Sequence, residues 1–326
     1  MKNAVLPAMA ALLAASLSGS IVAPVAAAHP GHHSEASADE ERGCALPPGW
    51  SEVEALDPEF IVFGELHGTA EAPEFVSDLV CALAAKGERV LLAMEINSPH
   101  DPALQEAWAS APQDFRQALQ SGGWERRNDG VGSDAMLEMV VRAHSLKSQG
   151  APISVVAFNG ARDDAQRARF AHFPGQGPHE AAQAENIALA AEAGEFDRVI
   201  VLVGNLHAMR SEVSTGGTTF EPMALKLEQY GSVIGLKMLQ APGTSWSCRL
   251  QPGFKFVAGE PLPPDAIQCA EHPSGATGEF DREPFIALPD ADSEEAVAGF
   301  DGFFWVGPIT ASPPAFIEED REAGEE

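Results

Sequence analysis

Five short apolar runs punctuate the chain: "EFIVFG" at 59–64, "ERVLLAME" at 88–95, "ISVVAF" at 153–158, "RVIVLVG" at 198–204 and "SVIGLKML" at 232–239. Each is strand-sized and nearly continuous in apolar character, the pattern of a strand buried on both faces. Helical spacing fills the gaps. Phe75, Leu79 and Leu83 recur within 72–86, and Asp101-Pro102 opens one or two helices over 101–121. Met136, Met139, Val140 and Leu146 share one side of 134–149, and further helices are predicted at 179–194 and 221–231, each closed by a glycine. The alternation predicts an α/β fold, with a mainly parallel β-sheet and helices on both faces. After residue 240 the texture becomes Pro/Gly-rich with short strands, ending in "FDGFFWVG" at 300–307. These are read as edge strands or a lid on the same core.

Residues 1–28 read as a signal peptide: Lys2, an apolar stretch from Ala4 to Leu17, and a small-residue site at Ala26-Ala27-Ala28. Residues 29–43 are expected to be a disordered leader. It carries His29, His32 and His33, read as a polar tail in preference to a chelating N-terminus. A single α/β domain is expected over 44–312 and an acidic disordered tail over 313–326. No other stretch is apolar for long enough to anchor the chain in a membrane. The expected location is therefore periplasmic or secreted. The formal charge of -28 argues against nucleic acid, whose recognition relies on neutralising phosphates. Four cysteines allow three pairings. Cys248 and Cys269 flank a Pro/Gly-rich segment, which suits a local bridge, and Cys44–Cys81 would tie the N-terminal segment to the first helix.

The strand bodies are apolar, but their carboxyl ends are not. The first runs into Gly64-Glu65-Leu66-His67-Gly68, the second closes on Glu95, the third ends near Asn159, and the fourth runs into Gly204-Asn205-Leu206-His207. That edge of a parallel sheet is where ligands bind. A histidine just past a strand often does no more than bond a loop carbonyl. A glutamate closing a buried strand is harder to dismiss, because an unpaired charge there is expensive. Two of each, brought from three strands, point to a reaction centre at the strand C-terminal ends. Two chemistries fit. In one, His67 takes a proton from water or a hydroxyl while Glu65 or Glu95 fixes its tautomer. In the other, His67, Glu95 and His207 hold a divalent transition metal with an open position for water.

No H-E-x-x-H, G-x-S-x-G, Walker A or G-x-G-x-x-G motif is present, and "PDADSEE" at 289–295 lacks a calcium-loop glycine. The Gly-rich segment 122–133 is long for a connector and is a site candidate through Trp124, Arg126 or Arg127, and Asp129. Arg127, Asp129, Asn205 and Arg210 are candidate substrate-binding residues. Either arginine could neutralise the carboxylates or hold an anionic group.

At these residues the chain resembles the superfamily that joins the erythromycin esterases, the ChaN-type haem-uptake lipoproteins and the Tiki/TraB-like proteases. The shared marks are Gly64-Glu65-Leu66-His67-Gly68, Glu95 and Gly204-Asn205-Leu206-His207. The resemblance spans about 60–310. It implies an α/β fold with the site at the strand ends. Esterase-like members activate water through the first histidine, Tiki-like members are metal-dependent peptidases, and ChaN-like members bind haem. No cysteine follows the expected cleavage site, a departure from the lipoprotein pattern. The only tyrosine, Tyr230, sits at a helix end and is read as structural rather than as a haem ligand. The expected function is an exported hydrolase of ester or amide bonds acting on a small molecule or peptide. The alternative is a haem- or metal-binding envelope protein.

Overall fold

Each of the five apolar runs is a strand. The chain folds in the order α1 (Trp50–Ala55), β1 (Phe60–Glu65), α2 (Glu71–Ala85), β2 (Val90–Asn97), α3 (Asp101–Trp108), α4 (Pro112–Ala118), α5 (Asp134–Ser148), β3 (Ile153–Asn159), α6 (Asp164–Phe170), α7 (Gly177–Glu192), β4 (Arg198–Gly204), β5 (Val213–Thr215), β6 (Thr218–Phe220), α8 (Met223–Leu227), β7 (Val233–Ala241), β8 (Gly243–Leu250), β9 (Ile267–Ser274), β10 (Phe285–Ala287) and β11 (Gly302–Pro308). This is a computed structural model that describes residues 44–124, 127–251, 253–254, 263 and 266–316. The expected signal and leader segments, Arg126 and residues 317–326 of the tail lie outside the described residues.

The main sheet has seven strands in the order β10-β11-β7-β1-β4-β2-β3. All its pairings are parallel except that of β10 with β11. Strand parity explains why both faces are apolar. Ile61 and Phe63 of β1, with Ile200 and Leu202 of β4, pack under α1–α5. Phe60 and Val62, with Val199, Val201 and Val203, pack on the opposite face under α7 and α8. Buried on both sides, each strand must be apolar at every position, which leaves its end as the place for polar chemistry.

The C-terminal third meets the expectation of edge strands only in β10, which ends the sheet. β11 lies inside the sheet, parallel to β7, because Phe304 and Val306 join the α1–α5 core while Phe303 and Trp305 pack with Leu239 and Phe285 on the other side. The predicted helix at 221–231 shortens to Met223–Leu227. Residues 313–316, read as part of the tail, pack on the domain: Asp134 N donates to Pro313 O at 2.8 Å and Ala315 N to Gly132 O at 3.0 Å. β8 and β9 form a separate antiparallel hairpin, crossed by Cys248–Cys269 at directly facing positions. Cys44 pairs with Cys81. Among the described residues no helix is long and apolar enough to cross a membrane.

Candidate active site

The strand order places β4 between β1 and β2, so three polar strand ends stand side by side. Glu65 closes β1 opposite Gly204, the last residue of β4. Glu95 lies near the end of β2 on the other flank of β4. Glu65 and Glu95 are 3% and 6% exposed, so each needs a partner. The partners are the two histidines. His67 Nδ1 donates to Glu65 Oε1 at 2.8 Å, and its Nε2 lies 3.3 Å from Glu95 Oε2. His207 Nε2 lies 3.7 Å from the other oxygen of Glu95. The Gly204 N–H donates to Glu95 Oε2 at 2.8 Å and fixes the carboxylate between the two rings.

A fifth member was not among the sequence candidates. Glu180, on the first turn of α7, reaches His207 Nδ1 at 2.8 Å. The result is an unbroken row, Glu65–His67–Glu95–His207–Glu180, with carboxylates and imidazoles alternating. Its neighbour His179 was missed too; its ring centre stands 5.7 Å from that of His207. The signal for Glu180 was present. It falls one and two turns before Ala184 and Ile187 on the stripe that packs the sheet, where a carboxylate is out of place.

The row sets its own protonation. Burial works to lower the pKa of His67, but the charge of Glu95 and the hydrogen bonds to Glu65 and Glu95 outweigh it and hold the ring well above its ordinary 6.5. His207 is likewise raised against burial, by its bond to Glu180 and by the charges of Glu95 and Glu180, while the charge of His67 opposes this. Burial would raise Glu95, yet the charges of His67 and His207 and the Gly204 N–H bring it down to about 2. Both imidazoles are therefore biased towards the charged form beside Glu95.

Two glycines permit the geometry. A Cβ on Gly204 would stand 2.6 Å from His67 Nε2, so any side chain there displaces the ring. Gly68 has φ +73°, and a Cβ on it would meet Trp246 O at 2.1 Å. This is where the β8–β9 hairpin leans on the histidine loop: Trp246 N donates to Gly68 O at 2.8 Å, and Trp246 Nε1 donates to Asn128 O at 2.8 Å. The Gly-rich loop completes the rim. Gly68 N donates to Gly130 O, Arg127 pairs with Asp129, and the Arg127 charge reaches His179. Trp124 is buried in the core under this loop.

The other sequence candidates fall elsewhere. Asn205 N donates to Glu65 O at 3.0 Å, while its side chain tucks against Gly64 with Oδ1 buried and without a hydrogen-bond partner among the described residues. Arg210 is not brought to the centre. It packs over Gly235 in β7, held by Asp301 and Glu228 at 2.9 Å each and by Ala224 O at 3.1 Å. Tyr230 precedes β7, at the sheet edge opposite the strand ends, and packs on the α7–α8 side.

The proposed metal set of His67, Glu95 and His207 is only partly supported by this arrangement. The Nδ1 atoms are engaged by Glu65 and Glu180, and both Nε2 atoms face oxygens of one carboxylate at ion-pair distance. Among the described residues no group of three His, Cys, Asp or Glu side chains is arranged to hold a metal ion. Carboxylates behind Nδ1 and Nε2 atoms turned to one glutamate are, however, also the arrangement of histidines that ligate a metal.

No family model matches the chain, and no curated protein matches it. Solved structures do. A mutant erythromycin esterase in its open conformation superposes with a TM-score of 0.54 at 14% identity, over 80% of this chain and 95% of that one. A succinoglycan biosynthesis protein superposes with a TM-score of 0.54 at 11% identity, over 82% and 94%. The haem-binding ChaN of Campylobacter jejuni also matches, at 11% identity over 57% and 83%, but its TM-score of 0.35 carries no argument. At these identities the likeness is one of fold alone: the chain shares the α/β architecture of these structures.

Proposed function

We propose that the chain is a hydrolase of ester or amide bonds that activates water without a metal, through the row Glu65–His67–Glu95–His207–Glu180. The observation that carries this reading is the convergence of two carboxylate-backed imidazoles on opposite oxygens of one buried glutamate. His67 is the base, because its side chain is 29% exposed against 15% for His207 and so meets water first. In its neutral form His67 takes a proton as the water oxygen bonds to the carbonyl carbon, whose π electrons move to oxygen. When the tetrahedral intermediate collapses, the bond to the leaving group breaks and that group takes a proton from His207. Glu95, between the rings, lets the proton on His67 return to His207 and reset the pair. Glu65 and Glu180 orient the rings and support the charged forms, as the third member of a catalytic triad does.

The productive form has His67 neutral and His207 charged, the less populated of the two singly protonated forms, because His67 is held further above its ordinary value. The rings titrate as a coupled pair, so it is populated between two macroscopic pKa values. Export is part of the proposal. It rests on the sequence of residues 1–28 together with the two disulfides, which suit an oxidising compartment.

The test is turnover of 4-nitrophenyl esters and peptide amides by the purified protein beside His67→Ala. Hydrolysis lost in the variant supports the reading. A Soret band on adding haem, with no turnover of any ester or amide, would replace it with the binding alternative.

A further inference from the structure

Arg210 follows His207 by three residues and, though it stands outside the row, its side chain is mostly buried. Its stem crosses β7 where Gly235 leaves room: a Cβ on that glycine would stand 2.8 Å from Arg210 Cγ and 2.4 Å from Ala208 O. The guanidinium then spreads its planar fork over three partners. Nε donates to Asp301 Oδ2 at 2.9 Å, Nη1 donates to Ala224 O at 3.1 Å, and Nη2 lies 2.9 Å from Glu228 Oε1. Asp301 is itself anchored to β7, since its Oδ2 accepts the Gly235 N–H at 2.8 Å and its own N–H donates to Gly235 O at 2.9 Å. The arginine therefore ties α8 to the main sheet.

That tie bears on the row because of what α8 holds. The first N–H groups of a helix have no partner inside it. In α8 the Met223 N–H donates to Glu180 Oε2 at 2.9 Å, and the Ala224 N–H donates to His207 O at 2.9 Å. Ala224 is thus gripped from both sides: its N–H holds the backbone of His207, and its carbonyl is held by Arg210. The carbonyl is open to the guanidinium because the Glu228 N–H, which a longer α-helix would turn to it, goes to Leu225 O at 3.4 Å instead. A helix of five residues has no stability of its own, so its place is set by such grips. We propose that Arg210 is a positioning residue of the row. By holding α8 at Ala224 O and Glu228 it keeps the Met223 and Ala224 N–H groups on Glu180 and His207, and so sets where the His207 ring stands against Glu95. The inference rests on the hydrolytic reading above, and it gives Arg210 a task that involves no contact with substrate.

The experiment uses the purified protein with 4-nitrophenyl butyrate. Arg210→Met keeps the stem and removes the fork. It is expected to lose about 10- to 10²-fold in kcat with KM changed by less than about threefold, as a ring displaced without loss of substrate contact should. Arg210→Lys leaves a cation beside Asp301 should the Met variant fail to fold. One ammonium cannot hold Ala224 O, Asp301 and Glu228 together, so this variant should lose about tenfold. Parental kcat in either variant overturns the inference. A double-mutant cycle separates positioning from bulk stability. In the His207→Ala background no ring remains to be placed, and Arg210→Met should cost less than about twofold more. A cost undiminished in that background marks a merely structural arginine and overturns the inference. Amide hydrogen exchange gives a readout apart from activity. The Met223 and Ala224 amides should exchange at least about tenfold faster in Arg210→Met while those of β4 do not change; parental rates at both amides overturn the link through α8. Absence of turnover by the parent on every ester and amide sinks the hydrolytic reading itself, whereas an active parent with an equally active Arg210→Met sinks only the role of the arginine.

Discussion

Glu180 holds His207 from 27 residues away, its two oxygens 2.9 and 2.8 Å from the ring Nδ1, while Oε2 also accepts the Met223 N–H at 2.9 Å. With no exposure, this carboxylate is tolerable only because both bonds are made. Glu180→Gln keeps the shape but cannot support an imidazolium. Its kcat is expected to fall by about 10²- to 10⁴-fold with little change in KM. Glu180→Ala, which also strands the partner charge, should cost about 3–5 kcal/mol in urea unfolding. A Gln variant with parental kcat would remove Glu180 from the machinery.

Gly204→Ala tests the packing that places His67. The added Cβ would stand 2.6 Å from Nε2, so the ring must swing away from Glu95. A displacement of about 1 Å is worth about 10² in rate. The expected result is a loss of that order in ester turnover with a folded protein by circular dichroism. Activity within twofold of the parent would mean the ring does not work from where it stands.

The sequence carried the layers of the fold more fully than the assembly of the site. Doubly buried strands must be apolar throughout, so β1 to β4 and β7 declared themselves, and Glu65, His67, Glu95 and His207 stood out at their ends. Sheet order was another matter. β4 follows β3 in the chain yet lies between β1 and β2, and nothing local in a strand encodes its neighbour. That placement is what turns three separate polar ends into one centre. Arg210 stands elsewhere for a related reason: nearness to His207 in sequence said nothing of Asp301, which holds it from 91 residues away. Glu180 lies in the first turn of a helix, where a carboxylate is ordinary, and only its place on the stripe of Ala184 and Ile187 marks it as buried.

The row should give stability and rate opposite responses to pH. His67 and His207 have folded pKa values above 6.5, so the stability they lend is complete below 6.5 and drains away as pH rises through the folded values. Glu95, moved from 4.5 to about 2, lends stability that is complete above 4.5 and is lost as pH falls towards 2. All three contributions are whole between those bounds. Turnover needs one neutral ring, so the acidic limb of kcat/KM should lie above 6.5. The stability gap between the parent and His67→Ala should narrow over the pH range in which activity climbs. An acidic limb at or below 6.5 would contradict the upward shift of the two rings.

The Cys248–Cys269 bridge closes a hairpin whose Trp246 presses on Gly68, one residue past His67. Removing the bridge with paired alanines should lower stability by about 2–4 kcal/mol. If the hairpin shapes the pocket, KM should rise more than kcat falls. Thermal unfolding and steady-state kinetics on one ester separate these effects, and an unchanged KM would confine the bridge to stability.

Chelation decides between the two chemistries the strand ends allow. A metal shared by His67, Glu95 and His207 would have to displace the charge pairing that holds Glu95 at about 2. It would also replace protons on rings whose pKa values are raised, so binding would be opposed below the folded values. Exhaustive dialysis against a chelator is therefore expected to leave kcat within about twofold, and added zinc should not raise Tm, as tight binding to the folded state would. Loss of activity on chelation, restored by one equivalent of zinc and absent in His207→Ala, would exchange the proton relay for a metal-activated water held by the same three side chains.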